Sequence, residues 1–266
     1  MKKFTGAKSD IKDFLDDILD KVNNVDFISL DPICIPHRYS VKQDIEIAGF
    51  FSAILAWGNR KTIINKSLEL MSLMDHRPYD FIKNHTEKDR KVLLGFKHRT
   101  FQETDLLYFV ERLQKYYNTY DSLESAFIID STIKYNQKSA LIHFHNMFFN
   151  HDFAPLRTKK HIATPAKKST CKRLNMYLRW MVRSDDRKVD FGLWKSIPAS
   201  ELMIPLDVHV EKYARHFGFL TQKQRDWSAV EEVTNCLRVF DPADPVKYDY
   251  ALFGLGIHSK DFPLLS

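Results

Sequence analysis

The sequence predicts an all-α fold, two helical lobes around a cleft, on three observations. Apolar residues recur at helical spacing along most of the chain, and no stretch sustains the apolar–polar alternation of a strand. Only 8 glycines and 10 prolines punctuate 266 residues, too few for long loops or extended disorder. A hydrophobic fraction of 44% suffices for a sizeable core. One domain over 1–266 is expected, its lobes formed by about 1–40 with 190–266 and by 41–189.

Each helix has its own local warrant. Ser9 to Val22 places Ile11, Phe14, Leu15 and Ile18 on one face, with Ser9 as a candidate N-cap. Val25 to His37 holds Pro32 and Pro36 and reads as an irregular connector. Asp44 to Trp57 is apolar around most of its circumference, which assigns it to the centre of the fold. Gly58-Asn59-Arg60 interrupts it before a helix from Lys61 to about Met74. Short helices are expected at 78–82, 88–96, 122–129 and 138–149, and a longer amphipathic one at Glu103–Tyr117. A basic amphipathic helix is expected from Thr164 to Arg183, followed by helices at 207–217, 228–237 and 245–255. Asp244, ahead of Pro245, is read as a helix cap.

Composition excludes several classes. No apolar run approaches the ~20 residues that span a bilayer, so no membrane partner is expected. Met1-Lys2-Lys3-Phe4 leads into charged residues rather than a signal-peptide core. Cys34, Cys171 and Cys236 are odd in number and widely separated. They suit neither a disulfide framework nor a metal site, and a soluble protein of the reducing cytoplasm is expected, without metal or cofactor.

The charge is localised. Residues 157–188 carry eleven lysines and arginines against Asp185 and Asp186, a net of +9, so the rest of the chain holds −3 of the overall +6. Such a stripe is the footprint of a phosphate-backbone binder. Duplex DNA is the expected partner, with RNA an open alternative and a monomer as the working state.

Three stretches carry a resemblance. Ile204 to Gly218, IPLDVHVEKYARHFG, resembles the catalytic segment of the helix-hairpin-helix DNA glycosylases, whose aspartate sits at a helix N-terminus; the matching residue is Asp207. Lys172 opens a run with Leu174, Tyr177, Leu178 and Met181 on one face, similar to the lysine-bearing helix of that superfamily. Phe51 to Lys66, FSAILAWGNRKTIINK, is similar to its early helix–turn–helix, whose polar turn enters the minor groove. The segments KRLNMYLRWMVR, IPLDVHV and DPADPVKYDYALFGLG look like an uncharacterised bacterial family filed as domain of unknown function 2400.

The resemblance implies a helix-hairpin-helix glycosylase-like fold and excision of a damaged base, with abasic-site lyase activity. Lys172 is the implied nucleophile, or a phosphate contact only, and Asp207 the implied carboxylate, or a cap only. Base loss passes through a cationic sugar that a carboxylate stabilises, while attack by an amine gives a Schiff base. Asn59, Arg60, Lys167, Lys168, Arg173, Arg179 and Arg183 are expected on the DNA. Trp57 and Trp180 are expected to hold or stack an extruded base, and His209 to serve in the core. The sequence departs from the superfamily in two ways. No glycine lies in the stretch Pro165 to Cys171 before Lys172, and Lys172 and Asp207 are 35 residues apart, which resembles the archaeal 8-oxoguanine branch. A non-catalytic nucleic-acid-binding module on the same fold is the rival expectation.

Overall fold

The protein is described by a computed structural model over residues 8–257; the Met1–Phe4 stretch lies outside the described residues. The fold is predominantly helical. Its α-helices are α1 (Lys8–Val22), α2 (Val25–Leu30), α3 (Lys42–Leu55), α4 (Arg60–Leu73), α5 (Pro78–Asn84) and α6 (Glu103–Tyr117). They continue with α7 (Gln137–Phe149), α8 (Lys172–Val182), α9 (Val208–His216), α10 (Trp227–Phe240) and α11 (Tyr248–Ile257). None of the described helices is long and apolar enough to cross a membrane.

The chain divides into two compact units. One comprises Met1–Phe27, Tyr135–Gln137 and Thr164–Ser266, the other Ile28–Lys134 and Lys138–Ala163. The division falls elsewhere than the expected lobes of 1–40 with 190–266 and 41–189. Helix α8 falls in the same unit as Asp190 and Asp249, the ion-pair partners of its Arg179.

The second unit is built around α3, which packs against α4 and α5. Eleven successive residues of this helix, from Ile45 to Leu55, are buried, as its all-round apolar sequence requires. Phe50 stacks on Phe109 at 5.9 Å, Phe109 meets Phe148 at 4.9 Å, and Phe127 lies on Phe144 at 4.3 Å. The one carboxylate on the buried stretch, Glu46, accepts from Tyr117 Oη at 2.9 Å and the Leu123 amide at 3.1 Å.

In the first unit α11 packs against α1 and α9. Two glycines set that approach. A Cβ on Gly254 would stand 2.7 Å from Val22, and one on Gly256 2.5 Å from His209, both inside contact distance.

Several local expectations are corrected. The connector at 25–37 contains α2 and two 3-10 turns, and the segments at 88–96 and 122–129 form 3-10 turns at Asp89–Leu93 and Leu123–Phe127. A short hairpin joins β1 (Lys97–His98) to β2 (Phe101–Gln102), too brief for a periodicity signal. The basic helix begins at Lys172 rather than Thr164, because Lys168 and Cys171 are left-handed, with φ of 58° and 50°. Asp244 precedes Pro245 but caps nothing with its side chain; its carboxylate accepts from Arg183 Nε at 2.8 Å instead.

Candidate functional site

The lysine and the aspartate singled out by sequence both lie in the first unit, each at a helix start. Before α8, Thr164 caps a 3-10 turn over Pro165–Lys167 by accepting from the Ala166 amide at 3.3 Å. Ser169 Oγ accepts from the Cys171 amide at 3.1 Å, and left-handed Cys171 turns the chain so that Lys172 is the first residue of α8. Left-handed backbone favours glycine; here lysine and cysteine adopt it. Burial pushes the Cys171 thiol up to about 12, so it is a packing group rather than a nucleophile.

Asp207 ends the buried stretch Leu202–Leu206 and caps α9. Its Oδ1 accepts from the His209 and Val210 amides at 2.8 and 2.9 Å. Among the described residues no hydrogen bond reaches its Oδ2, so the half-buried carboxylate keeps one oxygen for another partner.

A buried amide network holds these helix starts in register. Asn175, one turn into α8, donates from Nδ2 to the Thr170 and Ile204 carbonyls at 3.1 and 3.2 Å, and its Oδ1 accepts from Gln137 Nε2 at 2.9 Å. Gln137 Oε1 in turn accepts from the Met203 amide at 3.1 Å, and Thr234 Oγ1 from the Ile204 amide at 3.1 Å. The approach to Asp207 is thereby fixed through three side chains that local sequence reading had not singled out.

Asp249 connects the pair electrostatically. It lies on α11, buried, ion-paired to Arg179. Burial raises its carboxyl to about 7; Arg179 and Lys172 pull it down, and Asp207 pushes it up. Lys172, Asp207 and Asp249 therefore share one field, with a buried carboxyl that titrates near neutrality. The available signal was a lone carboxylate inside the apolar run YDYALFG.

The structure separates the remaining candidates. Lys167 and Lys168 are exposed and Arg173 is half-buried, all near the start of α8. Arg179 and Arg183, expected on DNA, are instead buried ion-pair centres, 4% and 2% exposed. Arg179 Nε lies 3.3 Å from Asp190, and its guanidinium sits over the Tyr250 ring at 4.2 Å. Arg183 reaches Asp190, Asp244 and Asp185 at 3.1, 2.8 and 2.8 Å. Desolvation pulls its pKa down, but these carboxylates hold it above the ordinary value. Trp180 is fully buried in the core and offers no face to a base. In the second unit, exposed Asn59 caps α4 by accepting from the Thr62 amide at 3.3 Å. Arg60 is half-buried beside it, and half-buried Trp57 lies under the Arg99 guanidinium at 5.1 Å.

The family model described as protein of unknown function (DUF2400) matches residues 31–258. The chain belongs to DUF2400. No curated protein and no solved structure matches this DUF2400 chain. The family description names no activity, so any function for this DUF2400 protein has to be argued from its own residues.

Proposed function

We propose that this DUF2400 protein is a helix-hairpin-helix glycosylase-like DNA-binding protein, two helical lobes around a cleft, that excises a damaged base through Lys172 and Asp207. The observation that carries the reading is the buried Asn175 bond from the first turn of α8 to the Ile204 carbonyl ahead of Asp207, with Lys172 and Asp207 both acting on buried Asp249. In the reaction the Lys172 amine attacks the anomeric carbon. A C–N bond forms, the glycosidic bond breaks, and the base leaves with its electron pair and takes up a proton. The free Oδ2 of Asp207 stabilises the cationic sugar. Ring opening gives a Schiff base, which permits strand cleavage. Exposed Lys167 and Lys168 supply phosphate contacts beside the lysine. The protein acts as a cytoplasmic monomer.

Incubation with duplexes carrying oxidised, deaminated or alkylated bases, under borohydride, tests this reading. The expected result is a covalent adduct lost in Lys172→Ala. Absence of both adduct and abasic product on every duplex overturns it.

One observation favours the rival reading, a binding module without chemistry. The turn before α8 lacks the glycines of the usual phosphate-gripping hairpin and takes its left-handed bends at Lys168 and Cys171. A module would release no base and would lose only modest affinity in Lys172→Ala, its salt slope falling by about one.

A further inference from the structure

The hairpin β1–β2 of the second unit presents an arginine where hairpins rarely tolerate one. His98 pairs with Phe101, leaving Arg99-Thr100 as a two-residue loop, and Arg99 is left-handed with φ 55°. Such positions favour glycine, asparagine or aspartate, and other residues there store about 1–2 kcal/mol of strain. Strain of this kind persists where surrounding structure holds it, and it clusters at functional sites.

The surrounding structure does hold it. His98 Nε2 donates to the Trp57 carbonyl at 3.2 Å. Arg157 Nη2 donates to the Thr100 carbonyl at 3.0 Å while its Nη1 bonds buried Asp105 at 3.0 Å. Phe101 anchors the far strand in the core, edge-on to Phe109 at 5.3 Å. The loop is pinned from both sides, and its side chain is directed onto Trp57.

The receiving side is shaped for that side chain. Gly58 is left-handed at φ 105°, and a Cβ built on it would lie 2.4 Å from Arg99 Nη1. Two left-handed positions, distant in sequence, thus seat one guanidinium on one indole at 5.1 Å. Among the described residues no carboxylate pairs with Arg99, and neither 56–62 nor 97–102 contains an acidic residue. A structural arginine is normally ion-paired, as Arg179 and Arg183 are here. A stacked guanidinium left without an anion keeps its hydrogen-bonding edge for one.

We propose that Arg99, seated by Gly58 on Trp57, is a phosphodiester-binding element of the second unit that grips a DNA strand. It adds to the proposed reading a strand contact that requires neither Lys172 nor Asp207.

Anisotropy of a labelled duplex over a salt series tests it. Arg99→Ala is expected to weaken binding about 3- to 10-fold near 0.1 M salt and to reduce the slope of log affinity on log salt by about one. Arg99→Lys should keep the slope and lose part of the affinity, because an ammonium does not reproduce the planar stack. Gly58→Ala should weaken binding like Arg99→Ala although no charge is removed. Melting curves establish that each variant is folded, and Lys88→Ala serves as the neutralised surface control. Equal affinity and slope for Arg99→Ala and Lys88→Ala overturn the proposal whatever Gly58→Ala does, as does failure of the parent to bind any duplex. Arg99-dependent binding without release of any base leaves this proposal standing and removes only the enzymatic reading.

Discussion

Asn175 donates to the Ile204 carbonyl at 3.2 Å, joining the first turn of the Lys172 helix to the strand of chain that delivers Asp207. Two residues far apart in sequence are thereby held in one constellation by a buried amide. Asn175→Ala would leave the Gln137 amide and the Thr170 carbonyl without the partner Asn175 supplies, and the Ile204 carbonyl with the Leu206 amide alone. Buried unpaired groups of this kind cost about 1–3 kcal/mol each, and we expect a loss of at least 2 kcal/mol in urea denaturation, with adduct formation falling in parallel. A variant as stable as the parent would show that this network does not hold the pair.

Asp207 separates capping from chemistry. Asparagine at this position retains an oxygen for the His209 and Val210 amides, and asparagine and aspartate are about equal as N-caps. Asp207→Asn should therefore stay within about 0.5 kcal/mol of the parent while losing base release, whereas Asp207→Ala should lose about 1 kcal/mol as well. Base release undiminished in Asp207→Asn would confine this carboxylate to the cap.

Arg183→Leu should behave as a stability variant. It removes the cation shared by Asp190, Asp244 and Asp185, leaving Asp190 with Arg179 alone, and breaking a buried ion-pair centre costs about 3–5 kcal/mol. The salt slope of duplex binding should not change at temperatures where the variant is folded. A slope reduced by about one, with stability intact, would return Arg183 to the DNA surface.

The titration of Asp249 gives a pH signature. Its folded-state pKa of about 7 stands above the ordinary 3.8, so the folded form binds the proton more tightly than the unfolded chain does. Its contribution to stability is complete below about pH 4, declines as pH rises to about 7, and is constant beyond. Asp249→Asn removes that decline, and the stability of this variant relative to the parent should improve between about pH 5 and pH 8. Urea titrations at the two pH values measure the difference; a constant gap would contradict the shift.

The helices were legible where the signal was local. The periodicity of α3 and α6 and the Asp-Val-His-Val pattern at the start of α9 each depend on residues within a few positions. The start of α8 was misread because Lys168 and Cys171 take left-handed conformations that their residue types do not announce. Arg179 lies on α8 and Arg183 just past its end, in extended conformation, so the helix stops one residue short of the expected face. What that face meets, however, is set by Asp190, Asp244 and Asp249, which reach it only through the tertiary fold. Arg99 was invisible for the same reason: two residues per strand leave no period, and its partner Trp57 is distant in sequence.

The two-amide cap made by Asp207 bears on how this family diverges. A lineage that abandoned base release would still need an oxygen at position 207 to start α9, so the aspartate, or an asparagine, would persist through selection for folding alone. Among the described residues Lys172 makes no capping bond; as the opening residue of α8 it can be exchanged for many helix formers at little thermodynamic cost. On the proposed reading, the residue at 172 rather than the one at 207 would therefore be the marker that distinguishes working enzymes from retired scaffolds.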